Sequence, residues 1–93
     1  YAPKTPFYIW SDQSLTKDDG VLTFGTPAPE GAGCVWDLRN DPVQAGKRLY
    51  AVLREMDQSH LRALYVVLPD EDGLRKKDWL AIMDRLHRAT QSR

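Results

Sequence analysis

Ninety-three residues are enough for one small domain and too few for two independent cores. Thirteen Lys and Arg side chains cancel thirteen Asp and Glu, so the chain lacks the basic excess that a dedicated nucleic-acid binder carries. Cys34 is the single cysteine, which excludes a disulfide framework and a thiolate metal cluster, and no apolar run approaches the roughly 18–20 residues of a membrane span.

A chain without cysteine pairs suits a reducing, cytoplasmic compartment. It opens on Tyr1 without an initiating methionine, which predicts a piece of a longer protein. Charge is unevenly placed. Residues 1–38 carry Lys4 and Lys17 against five acids, a balance of −3, and residues 39–93 carry the compensating +3.

Pro3 and Pro6 hold the opening extended, because proline disfavours helix at itself and at the residue before it. PFYIW, residues 6–10, then reads as a strand, aromatic and β-branched and ended by a polar run. Within that run, residues 14–19 have the composition of a helical turn but not the length of a crossover helix. GVLTF, residues 20–24, is a second strand, and the Gly- and Pro-rich stretch 25–33 is a loop. It is not a phosphate cradle: it lacks the Gly-Lys-Ser/Thr ending, and Pro27 and Pro29 remove amide donors that a cradle needs. Residues 34–38 make a third strand, with Cys34, Trp36 and Leu38 on one face and Val35 and Asp37 on the other. Cys34 reads there as a small core residue rather than a nucleophile.

The stretch 41–84 organises the rest. A helix is expected over 41–58, where Asp41 caps, Pro42 suits the first helical position and Gln44 sits at the capping-box position. Ala45, Leu49, Val52, Leu53 and Met56 share one face of it. ALYVVL, residues 63–68, is apolar on both faces, as a central parallel strand covered from both sides should be. Pro69 stops that strand, and a last helix from near Asp78 buries Trp79, Ile82, Met83, Leu86 and Ala89. Asp84 and Arg88 form an i,i+4 pair on its outer side. Helix, buried strand and helix in that order predict an α/β domain of two or three layers, with a mainly parallel sheet of about four strands.

Chemistry is sparser. Asp70, Glu71, Asp72 and Gly73 follow the carboxyl end of the central strand, the edge where open α/β sheets place their ligands. Three carboxylates can hold Mg²⁺ through water; the competing reading is a solvated turn paired loosely with Arg75, Lys76 and Lys77. Those three basic residues, with Arg85, Arg88 and Arg93, can touch a polyanion such as tRNA, although no aromatic residues interleave them for stacking. His60 and His87 have no partner at ligand spacing, so no metal site is expected. No catalytic constellation stands out.

Several pieces resemble one family. YAPKTP is similar to the end of the His-Tyr-x-Pro-Lys/Arg-x-Pro linker of two-domain L-threonylcarbamoyladenylate synthases. AGKRLYAVLREMD resembles a helix of their accessory domain, with a small residue, Leu, an aromatic, Leu-Arg and a closing Asp in the same frame. AIMDRLHRAT resembles their Ala-Ile-Met-Asp/Asn-Arg-Leu-x-Arg-Ala-Ala helix. The order agrees, and the matches span nearly the whole chain.

The resemblance implies that residues 1–5 end an interdomain linker and residues 6–93 form a Rossmann-like accessory domain without catalytic residues. The parent would be a nucleotidyltransferase using ATP and Mg²⁺ to make threonylcarbamoyl-AMP for tRNA modification. The nucleotide site would lie in a YrdC-like catalytic domain of the same chain, and tRNA or a sister subunit are further candidate partners. Tyr1 and Pro3 would be the linker residues nearest that active site. The family's Ser-Pro-Gly and His part of the linker is absent here, and the crossover after PFYIW is short. Where the family has Gly-Leu-Gly, this chain has Gly73-Leu74-Arg75 followed by Lys76 to Trp79. The alternative is a free-standing α/β module that binds a protein or RNA partner without enzymatic activity.

Overall fold

The computed structural model describes residues 4–69 and 77–91. The elements follow in the order β1 (Phe7–Ile9), β2 (Asp19–Thr23), β3 (Cys34–Asp37), α1 (Pro42–Asp57), β4 (Ala63–Val66) and α2 (Lys77–Gln91). The strands form one sheet in the order β1-β4-β2-β3, and every pair is parallel. The last strand of the sequence therefore sits inside the sheet, between the first two. This is an α/β domain of the small Rossmann-like kind. Among the described residues no helix is long and apolar enough to cross a membrane.

Local chemistry starts α1 where the sequence predicts. Asp41 is extended, and its carboxylate accepts from the backbone N–H groups of Val43 at 3.1 Å and Gln44 at 3.3 Å. The five apolar residues of its stripe are all buried. On α2, Trp79, Ile82, Met83, Leu86 and Ala89 are buried as well, and Trp79 meets the ring of Phe24 edge-on at 5.3 Å. One apolar cluster joins both helices to Phe7, Leu22, Leu64 and Val66. The strand register places those four on the same face, so both helices cover that face.

Among the described residues the other face is covered without a helix. The β1–β2 and β2–β3 connections both move across the sheet in the direction opposite to α1, and right-handed crossovers put them on the side opposite to it. Val21, Thr23 and Leu15 are buried there. The two connections pack backbone to backbone: a Cβ at Gly31 would overlap the carbonyl oxygen of Leu15, and one at Gly33 that of Lys17. The helical turn expected at 14–19 does not form. Instead the Asp19 carboxylate accepts from the N–H of Thr16 at 2.9 Å and folds a tight turn into β2.

Two further expectations need correction. Cys34 is exposed rather than a core residue. It sits on an edge strand, and α1 starts beside the carboxyl end of that strand but ends at Lys4 and Thr5, before β1 on the far side of the sheet, so helical cover reaches Leu38 and not Cys34. The central strand is also less evenly covered than its apolar sequence predicts. Tyr65 is only half-buried, beneath a Tyr8 that is 45% exposed, with the two rings 5.6 Å apart.

Candidate functional site

The site with the most specific geometry lies where the chain enters the sheet. Pro6 has no N–H to give, but its carbonyl accepts from the N–H of Leu64 at 2.8 Å and begins the pairing of β1 with β4. Trp10 extends the pairing at the other end, donating to the carbonyl of Val66 at 2.8 Å.

Just before Pro6, the amides of Lys4 and Thr5 precede the ladder. Asp57 takes both: Oδ2 accepts from Lys4 at 3.2 Å and Oδ1 from Thr5 at 2.8 Å. Asp57 is the last residue of α1, held in place by its neighbour Met56, which is fully buried. Beyond it the N–H of Gln58 bonds to Arg54 at 3.0 Å and that of Ser59 to Met56 at 3.2 Å. His60 then adopts a left-handed backbone, φ 60, which turns the chain toward β4. An open depression of about 570 Å³ lies beside the clasp, lined by Lys4, Thr5, Asp57, Gln58, His60 and Leu61.

A second carboxylate fastens the same end of the sheet. Asp19 is fully buried and receives Arg62 at 2.9 and 3.1 Å, joining the start of β2 to the start of β4. Burial pushes its pKa up, but the Thr16 amide and the Arg62 guanidinium outweigh that and hold it below the usual carboxylate value. At the opposite, carboxyl-terminal edge, Asp37 Oδ1 accepts from the Thr23 hydroxyl at 3.2 Å, the Gly25 N–H at 2.7 Å and the Arg39 N–H at 2.9 Å. Burial again works upward there, and the amides of Arg39 and Gly25 bring the pKa down. These bonds shape the loops over the edge where a parallel sheet accepts ligands.

Of the residues singled out from sequence, Tyr1, Pro3, Asp70, Glu71, Asp72 and Gly73 lie outside the described residues. His60 lines the depression, and His87 stands exposed on α2, so they are not brought together. Among the described residues no group of three His, Cys, Asp or Glu side chains is placed to hold a metal. Asp84 and Arg88 pair at 3.0 Å as expected. Sequence reasoning missed Asp57, Asp19 and Asp37. Asp57 did carry a signal, because an acid closing a helix opposes the helix dipole and calls for compensating donors.

Residues 1–91 match the family model described as threonylcarbamoyl-AMP synthase, C-terminal domain. The chain belongs to that family. No curated protein and no solved structure matches it. The match to the threonylcarbamoyl-AMP synthase C-terminal domain begins at residue 1 and so takes in Lys4 and Thr5 together with the sheet they lead into. It also covers the helix that ends in Asp57, so both halves of the clasp fall within the family's domain.

Proposed function

We propose that this domain is a non-catalytic accessory module of a threonylcarbamoyl-AMP synthase. It holds the near end of a linker that closes over the active site of a YrdC-like catalytic domain in the same parent chain. The observation that carries the reading is the parallel pairing of β1 with the central strand β4, which begins at Pro6. The segment that arrives from the catalytic side is thereby built into the core and does not hang from its surface. A firmly held end lets a short segment exclude water and retain substrate with little loss of chain freedom. ATP and Mg²⁺ belong, on this reading, to the catalytic domain, and residues 4–69 and 77–91 supply fastening only.

Turnover of the full-length parent, measured as pyrophosphate release with threonine, bicarbonate and ATP, tests this. Removing the accessory domain lowers turnover by about tenfold or more while circular dichroism shows the catalytic domain still folded. Tyr1→Ala produces part of that loss. The 93-residue chain alone releases no pyrophosphate. Unchanged turnover after truncation, or turnover by the isolated chain, would defeat the proposal, and the free-standing binding module would then be the better account.

A further inference from the structure

We propose that the outer surface shared by α1 and α2 binds single-stranded RNA, with Tyr50 stacking on an unpaired base and Lys47, Arg54 and Arg85 holding the phosphates around it. This goes beyond the accessory-domain reading and stands or falls apart from it.

The chain as a whole is neutral, but its charge is divided. Residues 39–93, which include both helices, carry the positive excess, and residues 1–38 carry the matching negative one. Asp12, Asp18 and Glu30 belong to the two connections, across the sheet from the helices. A phosphate chain is therefore drawn to the helical side and repelled from the other.

On the helical side the cations gather round an aromatic ring. Lys47, Tyr50 and Arg54 follow one another at spacings of three and four residues, so they form one stripe on α1, and all three are exposed. Arg85 reaches over from α2, its guanidinium carbon 5.5 Å from the centre of the Tyr50 ring. Under that contact Tyr50 keeps 42% of its surface in solvent. Two acids at neighbouring helical positions are engaged: Asp84 pairs with Arg88 at 3.0 Å, and Asp57 accepts from the amides of Lys4 and Thr5. The basic residues of α2 have no aromatic residue interleaved with them in sequence; the fold supplies one from the other helix.

A patch for phosphate alone needs only charge. A ring among the cations adds affinity where a base is free to leave its stack. A duplex hides its bases, whereas RNA presents them in loops, bulges and ends, so single-stranded RNA is the partner that uses both the charge and the ring.

Fluorescence anisotropy of a fluorescein-labelled RNA single strand of about ten nucleotides, titrated with the 93-residue chain, tests this. Three phosphate contacts give a slope of about −2 for log K against log salt. Lys47→Gln and Arg85→Gln should each bring that slope to about −1.4. Tyr50→Ala should weaken binding on the order of tenfold, whereas Tyr50→Phe, which keeps the ring, should bind as the parent does. Circular dichroism checks that each variant is folded. Should Tyr50→Ala unfold, the salt slopes of the two Gln variants and weaker binding of duplex RNA carry the test. Absence of binding at low salt overturns the proposal, and so does a salt slope indifferent to Lys47→Gln and Arg85→Gln. Duplex RNA bound as tightly as the single strand removes the role of Tyr50 and overturns it too. Vesicles containing phosphatidylserine are the last arm: if they bind the chain and the RNA does not, the surface faces a membrane and the proposal is wrong.

Discussion

Asp19 is a charged side chain with no exposure to water, and its charge survives because donors from Thr16 and Arg62 outweigh the burial that works against it. Thr16 gives both its amide and its hydroxyl, and Arg62 gives two guanidinium nitrogens while keeping 62% of its own side chain in solvent. Because the folded pKa is lowered from 3.8, the stabilisation is fully present above that value and is lost as pH falls through the folded pKa. Urea unfolding midpoints measured between pH 3 and pH 7 should fall toward acid in the parent. In Asp19→Asn they should be lower at pH 7 and should fall less steeply toward acid. Asp37 contributes in the same direction, with backbone amides as its principal partners. Gly33 is a residue-scale constraint of another kind. A side chain there would meet the carbonyl of Lys17, which is backbone and has nowhere to rotate, so Gly33→Ala should lower the melting temperature.

At the scale of elements, α1 is the strut of the domain. Leu53 is 1% exposed and shares its cluster with Val66 and Leu64, so Leu53→Ala should cost about 2–5 kcal/mol in a denaturant titration. Asp41→Ala, which removes the acceptor for two amides at the other end of the helix, should cost about 1 kcal/mol. Both helices were legible in the sequence because cap chemistry and a 3.6-residue stripe are local signals. The parallel sheet was legible through β4, whose unbroken apolar run fits no surface strand. The connections were not, since their packing is made by backbone: Leu15 and Lys17 meet glycines about sixteen residues later, and no side-chain period marks that contact. Cys34 was misplaced for a related reason. Alternation tells which face a residue is on, but not whether a helix reaches that far along an edge strand. The clasp of Asp57 on Lys4 and Thr5 joins segments that no spacing rule connects, and only the misfit of an acid at a helix end pointed to it.

For the molecule as a whole, no hairpin occurs among the described residues: every strand pair there is parallel, so no pairing joins strands through a tight turn. Such a topology folds slowly for its size, because loop closure must come before any pairing repays it. Refolding followed by Trp79 and Trp36 fluorescence should therefore take milliseconds to seconds, not microseconds. Position in the sheet also differs from position in time. Among the described strands β1 leaves the ribosome first, yet the strand it pairs with is β4, the last of them to be made. Phe7 has no described strand to lie against until Leu64 has been synthesised. A nascent chain halted before residue 63 therefore holds β1 as a loose end. The strand pairing that begins at Pro6 therefore waits until nearly the whole domain has emerged, and β1 is locked into the sheet as one of the closing events of synthesis.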